Sequence, residues 1–239
     1  MPVAGKRSER VTQALGWLER RGSKRNREGM ARYGLVARQV FGVSVGDLQK
    51  YARTLGHDHT LAVELWETGW YEARLLAAFV DEPAKVTAAQ MDRWARSFEN
   101  WGDCDTVCLH LFDKSPLAWR KVAPWCGRKP EFERRAGFAL LAALALHDKA
   151  SSDAPFRKAL GLIRKAATDE RNFVKKAVNW ALRSIGNRSL VLYDAAIELA
   201  EEFAESEDPT TRWIGKDALR DLRRPLVRKR VAAKGKRVE

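Results

Sequence analysis

The 239-residue sequence lacks most of the features by which common functional classes are read. No run of 18 apolar residues is present and no apolar stretch follows the Lys/Arg-studded start, so neither a helical membrane span nor a secretory leader is expected. Cysteine is scarce. Cys104, Cys108 and Cys126 cannot all pair within one chain, and they lack the paired CxxC or His spacing of a zinc site. They are read as buried thiols of a reducing, cytoplasmic protein. Neither GxGxxG nor GxxxxGK[ST] occurs, so no nucleotide cofactor is indicated, and the expected cofactor complement is none. His57, His59, His110 and His147 are scattered, form no HExxH and are assigned no chemistry. Strand signals are also missing: no convincing alternation of polar and apolar residues and no Asn-Gly or Asp-Gly turns.

What is present in excess is positive charge. Forty-four Lys and Arg stand against 31 Asp and Glu, a net charge of +13 and an isoelectric point near 9.9. Such a surplus favours polyanions, because each cation that meets a phosphate releases condensed counterions. A hydrophobic content of 45% is that of a globular chain with a substantial core. Nine tryptophans are many for this length, and some lie beside charged residues.

Apolar residues recur at spacings of three and four over Ala62–Val80, Phe132–His147, Asn172–Ile185 and Thr211–Leu222, the pattern of helices. Gly and Pro punctuate them. The segments YEARLLAAFVDEP (71–83), FERRAGFALLAALALHD (132–148), NFVKKAVNWALRSIG (172–186) and TRWIGKDALRDL (211–222) form a weak repeat, each with a basic residue ahead of a small one and an apolar stripe. Aligned on Arg135, Lys176 and Lys216 the steps are 41 and 40 residues, within the HEAT and armadillo range; the step back to Arg74 is 61 and breaks the register. The expected fold is all-α, a HEAT-like helical-repeat solenoid with a concave basic groove. Three regions are expected: a basic segment over 1–28 with one helix at Val11–Arg21, a repeat domain over 29–222, and a basic, disordered tail over 223–239. The tail either adds affinity for phosphates or only keeps the chain soluble.

Several stretches, in order, resemble the AlkD family of HEAT-like-repeat alkylpurine DNA glycosylases. FGVSVGDLQKYAR (41–53) and LAVELWETGWYEARLLAA (61–78) resemble the family's early Phe-Gly-Val turn and its LW…YE…LLAA helix. NWGDCD (100–105) resembles its Trp-x-x-x-Asp motif, ERRAGFALL (133–141) an Arg-bearing helix, and NFVKKAVNWALRSIG (172–186) its F-[IV]-x-K-A-[IV]-x-W-x-L-R signature. The resemblance runs from about residue 30 to 222. It implies a monofunctional glycosylase that removes positively charged N3- or N7-alkylpurines from duplex DNA, acting as a monomer and away from membranes. It also implies roles residue by residue. Asp105 matches the catalytic acid, Trp101 and Trp180 the aromatic residues beside the lesion, and Arg135 the arginine near the lesion's phosphate, with Arg134 as an alternative match. Lys175, Lys176 and Arg183 are further candidates for the DNA backbone.

Two features complicate the motif. Trp-Gly-Asp-Cys-Asp holds two acids, so Asp103 competes with Asp105. A register shifted onto Asp-Thr-Val (105–107) puts Cys104 and Cys108 in the Trp and Asp places and leaves no acid. The chemistry favours the register that keeps both residue types. An alkylated purine already carries positive charge and departs neutral; its loss leaves an oxocarbenium-like sugar, which a fixed carboxylate stabilises while orienting water. An indole face attracts the cationic base by roughly 0.5–2 kcal/mol. Trp101 and Asp105, four apart, project from one side of a helix. Taken without the resemblance, Asp105 reads first as a capping or solvated acid and Trp180 first as core, and Arg135 can pair with Glu131 or Glu133 on its own helix. The rival reading is a non-catalytic helical-repeat module that binds DNA structures or a protein.

Overall fold

The computed structural model describes residues 8–235. Over them the chain is all-α, with no strand, and it divides into two compact units at Pro116/Leu117. The first unit holds α1 (Glu9–Arg21), α2 (Lys24–Arg32), α3 (Val45–Leu55), α4 (His59–Glu67), α5 (Tyr71–Val80), α6 (Ala88–Arg96) and α7 (Trp101–His110), closed by a short 3-10 turn at Phe112–Lys114. The second holds α8 (Ala118–Cys126), α9 (Glu131–His147), α10 (Ala154–Ala166), α11 (Asn172–Gly186), α12 (Leu190–Ala204), α13 (Pro209–Leu222) and α14 (Pro225–Gly235).

The helix starts follow local chemistry. Ser8, Ser23, Ser44, Asp58, Thr87, Asn100, Ser189 and Asp208 each accept a hydrogen bond from an amide of the first turn they precede. Each thereby satisfies a donor that the helix itself cannot pair. The apolar stretch 62–80 is two helices rather than one. Thr68 ends α4, and Gly69 takes φ +77, a left-handed conformation that reverses the chain before α5.

The core of the first unit is aromatic. Trp66 on α4 stacks on Trp94 of α6 at 3.9 Å with their planes 3° apart. Arg74 of α5 lies over the Trp66 ring, 5.2 Å from its centroid. The second unit is built on α9, α11 and α13, the three helices of the 40-residue spacing. α11 packs against both of the others, while α8, α10 and α12 back them. α9 is buried continuously from Arg135 to Ala145, as expected of a helix covered on all sides.

The ends differ from the sequence expectation. The helix expected at Val11–Arg21 is α1, and it is no loose arm: Val11, Ala14 and Leu18 are buried, and Arg10 pairs with Asp58. A second helix, α2, follows at once. The part of the chain expected as a disordered tail is helical over Pro225–Gly235; Val227 and Val231, one turn apart, are buried, and α14 packs on α12 and α13. Residues 1–7 and 236–239 lie outside the described residues.

Gly215 shows how closely α12 and α13 approach. A Cβ there would lie 2.3 Å from the Ala204 amide nitrogen and 2.6 Å from the Ala200 carbonyl oxygen. Backbone cannot swing aside as a side chain can. Gly215→Ala should therefore cost about 1–3 kcal/mol by overpacking, even though alanine is the better helix former. The check is the urea midpoint of unfolding; an unchanged or raised midpoint would mean that the two helices are free to separate.

Candidate active site

The segment NWGDCD begins α7 and is fixed by a capping box. The Asn100 side chain accepts from the amides of Gly102 (2.8 Å) and Asp103 (3.1 Å), and the Asp103 carboxylate accepts from the Asn100 amide (3.3 Å). Asp103 also accepts from the Glu99 amide at 3.1 Å and lies 3.8 Å from the Arg74 guanidinium. Arg74 in turn donates to the Ser97 carbonyl and covers Trp66. Asn100 donates through its side-chain nitrogen to the Val36 carbonyl, tying the cap to the loop before α3.

This arrangement separates the two acids of the motif. Asp103 is 1% exposed and wholly engaged in the cap. Asp105, two residues on, is partly exposed, as is Trp101 one turn earlier. Trp101 donates from its indole nitrogen to the Tyr33 carbonyl at 3.0 Å, which fixes the ring plane. Beside them is Tyr71, a buried phenol whose pKa is raised, first by burial and then by the charges of Asp103, Glu72 and Asp105. Tyr71 and Tyr33 also line a neighbouring pocket of about 480 Å³ formed with α2 and the start of α3. Cys104 and Cys108 are fully buried in the core. The shifted register would thus put two core thiols where the chemistry requires accessible groups. Cys126 is likewise buried, and burial pushes its thiol up to about 12.

In the second unit the expected residues fall into two groups. Trp180 and Arg183, one turn apart on α11, line a pocket of about 520 Å³ closed by the linker before α14 and by α14 itself. Lys176, a turn before Trp180, is exposed. Lys175 lies over the Trp213 ring at 5.4 Å. The other group is at the start of α9. Arg135 is only 6% exposed and donates to the Phe173 carbonyl at 2.6 Å, tying α9 to the first turn of α11. The guanidinium thus ties two helices together through a backbone carbonyl, and the DNA contact expected of it remains a proposal. Arg134 pairs with Asp169 at 3.1 Å, and Arg171 donates twice to the same carboxylate, holding its pKa below the usual range.

The model of the DNA alkylation repair enzyme family matches residues 12–222. The chain belongs to that family. A relative in Listeria innocua, the uncharacterized protein Lin0241, is 24% identical over 165 residues, 68% of this chain and 71% of the relative. A solved structure from a family described as related to the HEAT-like repeat DNA glycosylases, with affinity for branched DNA structures, superposes with a TM-score of 0.75 at 22% identity, covering 95% of this chain and 97% of the other. The all-α, HEAT-like fold is thereby shown.

Within this member of the family, sequence reasoning missed the division of labour at α7. The signal was available: Asn100 followed three residues later by an acid, just before an apolar run, is a capping signature. It also missed the helix that closes the Trp180 pocket, although Pro225 followed by Val227 and Val231 is an N-terminal proline before an apolar stripe. Among the described residues no three His, Cys, Asp or Glu side chains gather as metal ligands, and no helix is long and apolar enough to cross a membrane.

Burial pushes the Asp103 carboxyl up to about 7 against the opposing pull of the Glu99 and Asn100 amides and of Arg74. Between the ordinary carboxylate value and about 7, the folded chain keeps a proton that the unfolded chain has lost. Stability from this group is thus fully present at low pH and declines as pH rises across that window. Asp103→Asn removes the titration. Urea midpoints at pH 4.5 and 7.5 should show the wild type losing more, or gaining less, over this rise than the variant. Identical pH responses would show that Asp103 stays ionised throughout.

Proposed function

We propose that the chain is a DNA glycosylase that removes positively charged N3- or N7-alkylated purines from duplex DNA by hydrolysis of the N-glycosidic bond. The observation that carries this reading is the α7 start: the cap absorbs Asp103 and leaves Trp101 and Asp105 on one partly exposed side of the helix. Asp105 acts as the carboxylate beside the sugar. As the C1′–N bond breaks, the electron pair leaves with the purine, which departs neutral, and the positive charge passes to the deoxyribose. Asp105 stabilises that cation, orients water towards C1′ and accepts the proton the water releases. Trp101 offers an indole face to the charged base before it leaves. The family membership supports a repair substrate, and the net charge of +13 supports a DNA partner.

A second reading is favoured by a specific observation. Arg135, matched to the arginine near the lesion's phosphate, is occupied within the protein, and Arg134 is paired with Asp169. A chain of this fold could bind DNA structures without turnover. The fold itself is shared with proteins described as having affinity for branched DNA.

Release of 3-methyladenine and 7-methylguanine from methylated duplex DNA separates the two. Wild type should release base, and Asp105→Asn should lower the rate by about 10²–10³-fold, the loss typical of removing one preorganised electrostatic group. DNA binding should persist in the variant, with a log–log salt slope of roughly 0.9 per phosphate engaged. Salt-sensitive binding without any release by wild type would favour the binding module.

A further inference from the structure

The pocket beside Trp180 carries an inference that rests on the DNA reading above but goes beyond it. Its walls come from α11, the end of α9, the last turn of α13 and α14, a helix where the sequence suggested only a tail. Lys149, Arg183, Arg224, Arg230 and Lys234 line it, and among the described residues Asp221 is the one carboxylate in the lining. Asp221 is shared between Arg183 at 3.8 Å and Arg224 at 3.3 Å, so it cannot neutralise the group. Lys234 donates to the Asn187 carbonyl, which anchors α14 across the pocket mouth. Its pKa is lowered by burial and then by the charges of Lys149, Arg230 and Arg188, a sign that cations are crowded there without matching anions.

The remaining lining is apolar and open. Leu146 and Leu226 are 54% and 66% exposed, and the Trp180 indole is partly exposed between the charged groups. Cations alone would suit any anion; cations around an indole and two open leucines suit a planar ring joined to a phosphate. A volume of about 520 Å³ falls in the range of roughly 300–1,000 Å³ typical of small-ligand sites. A base within a duplex is already stacked and cannot enter such a recess. A base in a single strand can, with its face on the tryptophan and its phosphates on the arginines.

We infer that this pocket, completed by the C-terminal helix, is a binding site for an unpaired nucleotide of single-stranded DNA. The base stacks on Trp180, and Arg183, Arg224 and Arg230 hold the flanking phosphates.

The test compares a fluorescein-labelled oligodeoxythymidine with a blunt duplex of equal length by fluorescence anisotropy over a salt series. Arg224→Gln/Arg230→Gln alters two exposed groups, and circular dichroism verifies its folding. This variant should bind the single strand at least 10-fold more weakly, with the log–log salt slope reduced by about 1.4 for two phosphates at roughly 0.7 each. Binding to the blunt duplex should change less than threefold. Trp180→Leu should weaken single-strand binding roughly 10-fold with the salt slope unchanged, because stacking releases no counterions. Equal losses on both DNAs would overturn the inference in favour of a general basic surface, as would no loss on either. Wild-type binding to duplex but not to the single strand would overturn it while leaving the DNA reading intact. Failure to bind either DNA would overturn both.

Discussion

The first unit depends on a buried carboxyl that closes a helix. Asp103 meets the amides of Glu99 and Asn100, and Arg74 faces it from α5. Through Arg74 the cap is continuous with the stacked Trp66–Trp94 pair, so the aromatic core and the start of α7 form one assembly. Arg74 is the basic residue that opens the first repeat-like segment, and here its charge is used internally. The cap sets the rotation of α7, and the rotation sets which residues of Trp-Gly-Asp-Cys-Asp face outward. Two acids two residues apart point about 200° apart around a helix, so one environment can bury the first while leaving the second open. The same sequence element thus holds one buried, capping acid and one partly exposed acid, distinguished by surroundings rather than by type.

Much of the family resemblance is architecture rather than chemistry. The Phe-Gly-Val turn and the Tyr-Glu start of α5 meet in space: the fully buried Glu72 carboxylate accepts from the amides of Phe41 (2.9 Å), Gly42 (2.6 Å) and Val43 (3.1 Å). Three donors on one carboxylate satisfy backbone groups that would otherwise be buried unpaired, at a cost of about 1–3 kcal/mol each. Similarly, in KAVNWALR, Ala177, Val178, Ala181 and Leu182 are buried, and Asn179 donates to the Ile214 carbonyl of α13. Only Trp180 and Arg183 of that stretch reach the pocket. The residues that make the stretch recognisable therefore mainly hold helices together.

This explains what could be read without coordinates. The main helices of the second unit, α9, α11 and α13, were legible because their apolar residues recur at the helical spacing. The 40-residue spacing was legible because α9, α11 and α13 occupy equivalent places. Which charged residue faces out was not legible on α9. That helix is covered all round from Arg135 to Ala145, so its sequence has no polar face against which to judge Arg135, and burial extends one residue beyond the apolar run. The tail misled for the opposite reason. Its many Lys and Arg residues hide a stripe of two valines, and two buried side chains one turn apart are enough when α12 and α13 supply the other side of the contact.

The same consideration governs how a net charge of +13 should be understood. Many cations already have partners: Arg134 and Arg171 on Asp169, Arg164 on Glu202, Arg223 on Glu201, Arg220 on Asp217. The exposed pairs among these, such as Arg164–Glu202 and Arg223–Glu201, contribute roughly 0–1 kcal/mol each to stability, but every pair weakens the local field a polyanion would feel. The surplus matters where pairing fails. Among the described residues a single carboxylate faces five cations around Trp180, and Lys234 is held among like charges. Gathering cations this way works against folding, since each is repelled by the others, and a stable chain keeps such a cluster only while its surroundings offset that repulsion. Here the apolar contacts of Val227 and Val231 and the Lys234–Asn187 hydrogen bond offset it. A bound phosphate would relieve it, so anion binding and the docking of α14 should reinforce each other through linkage.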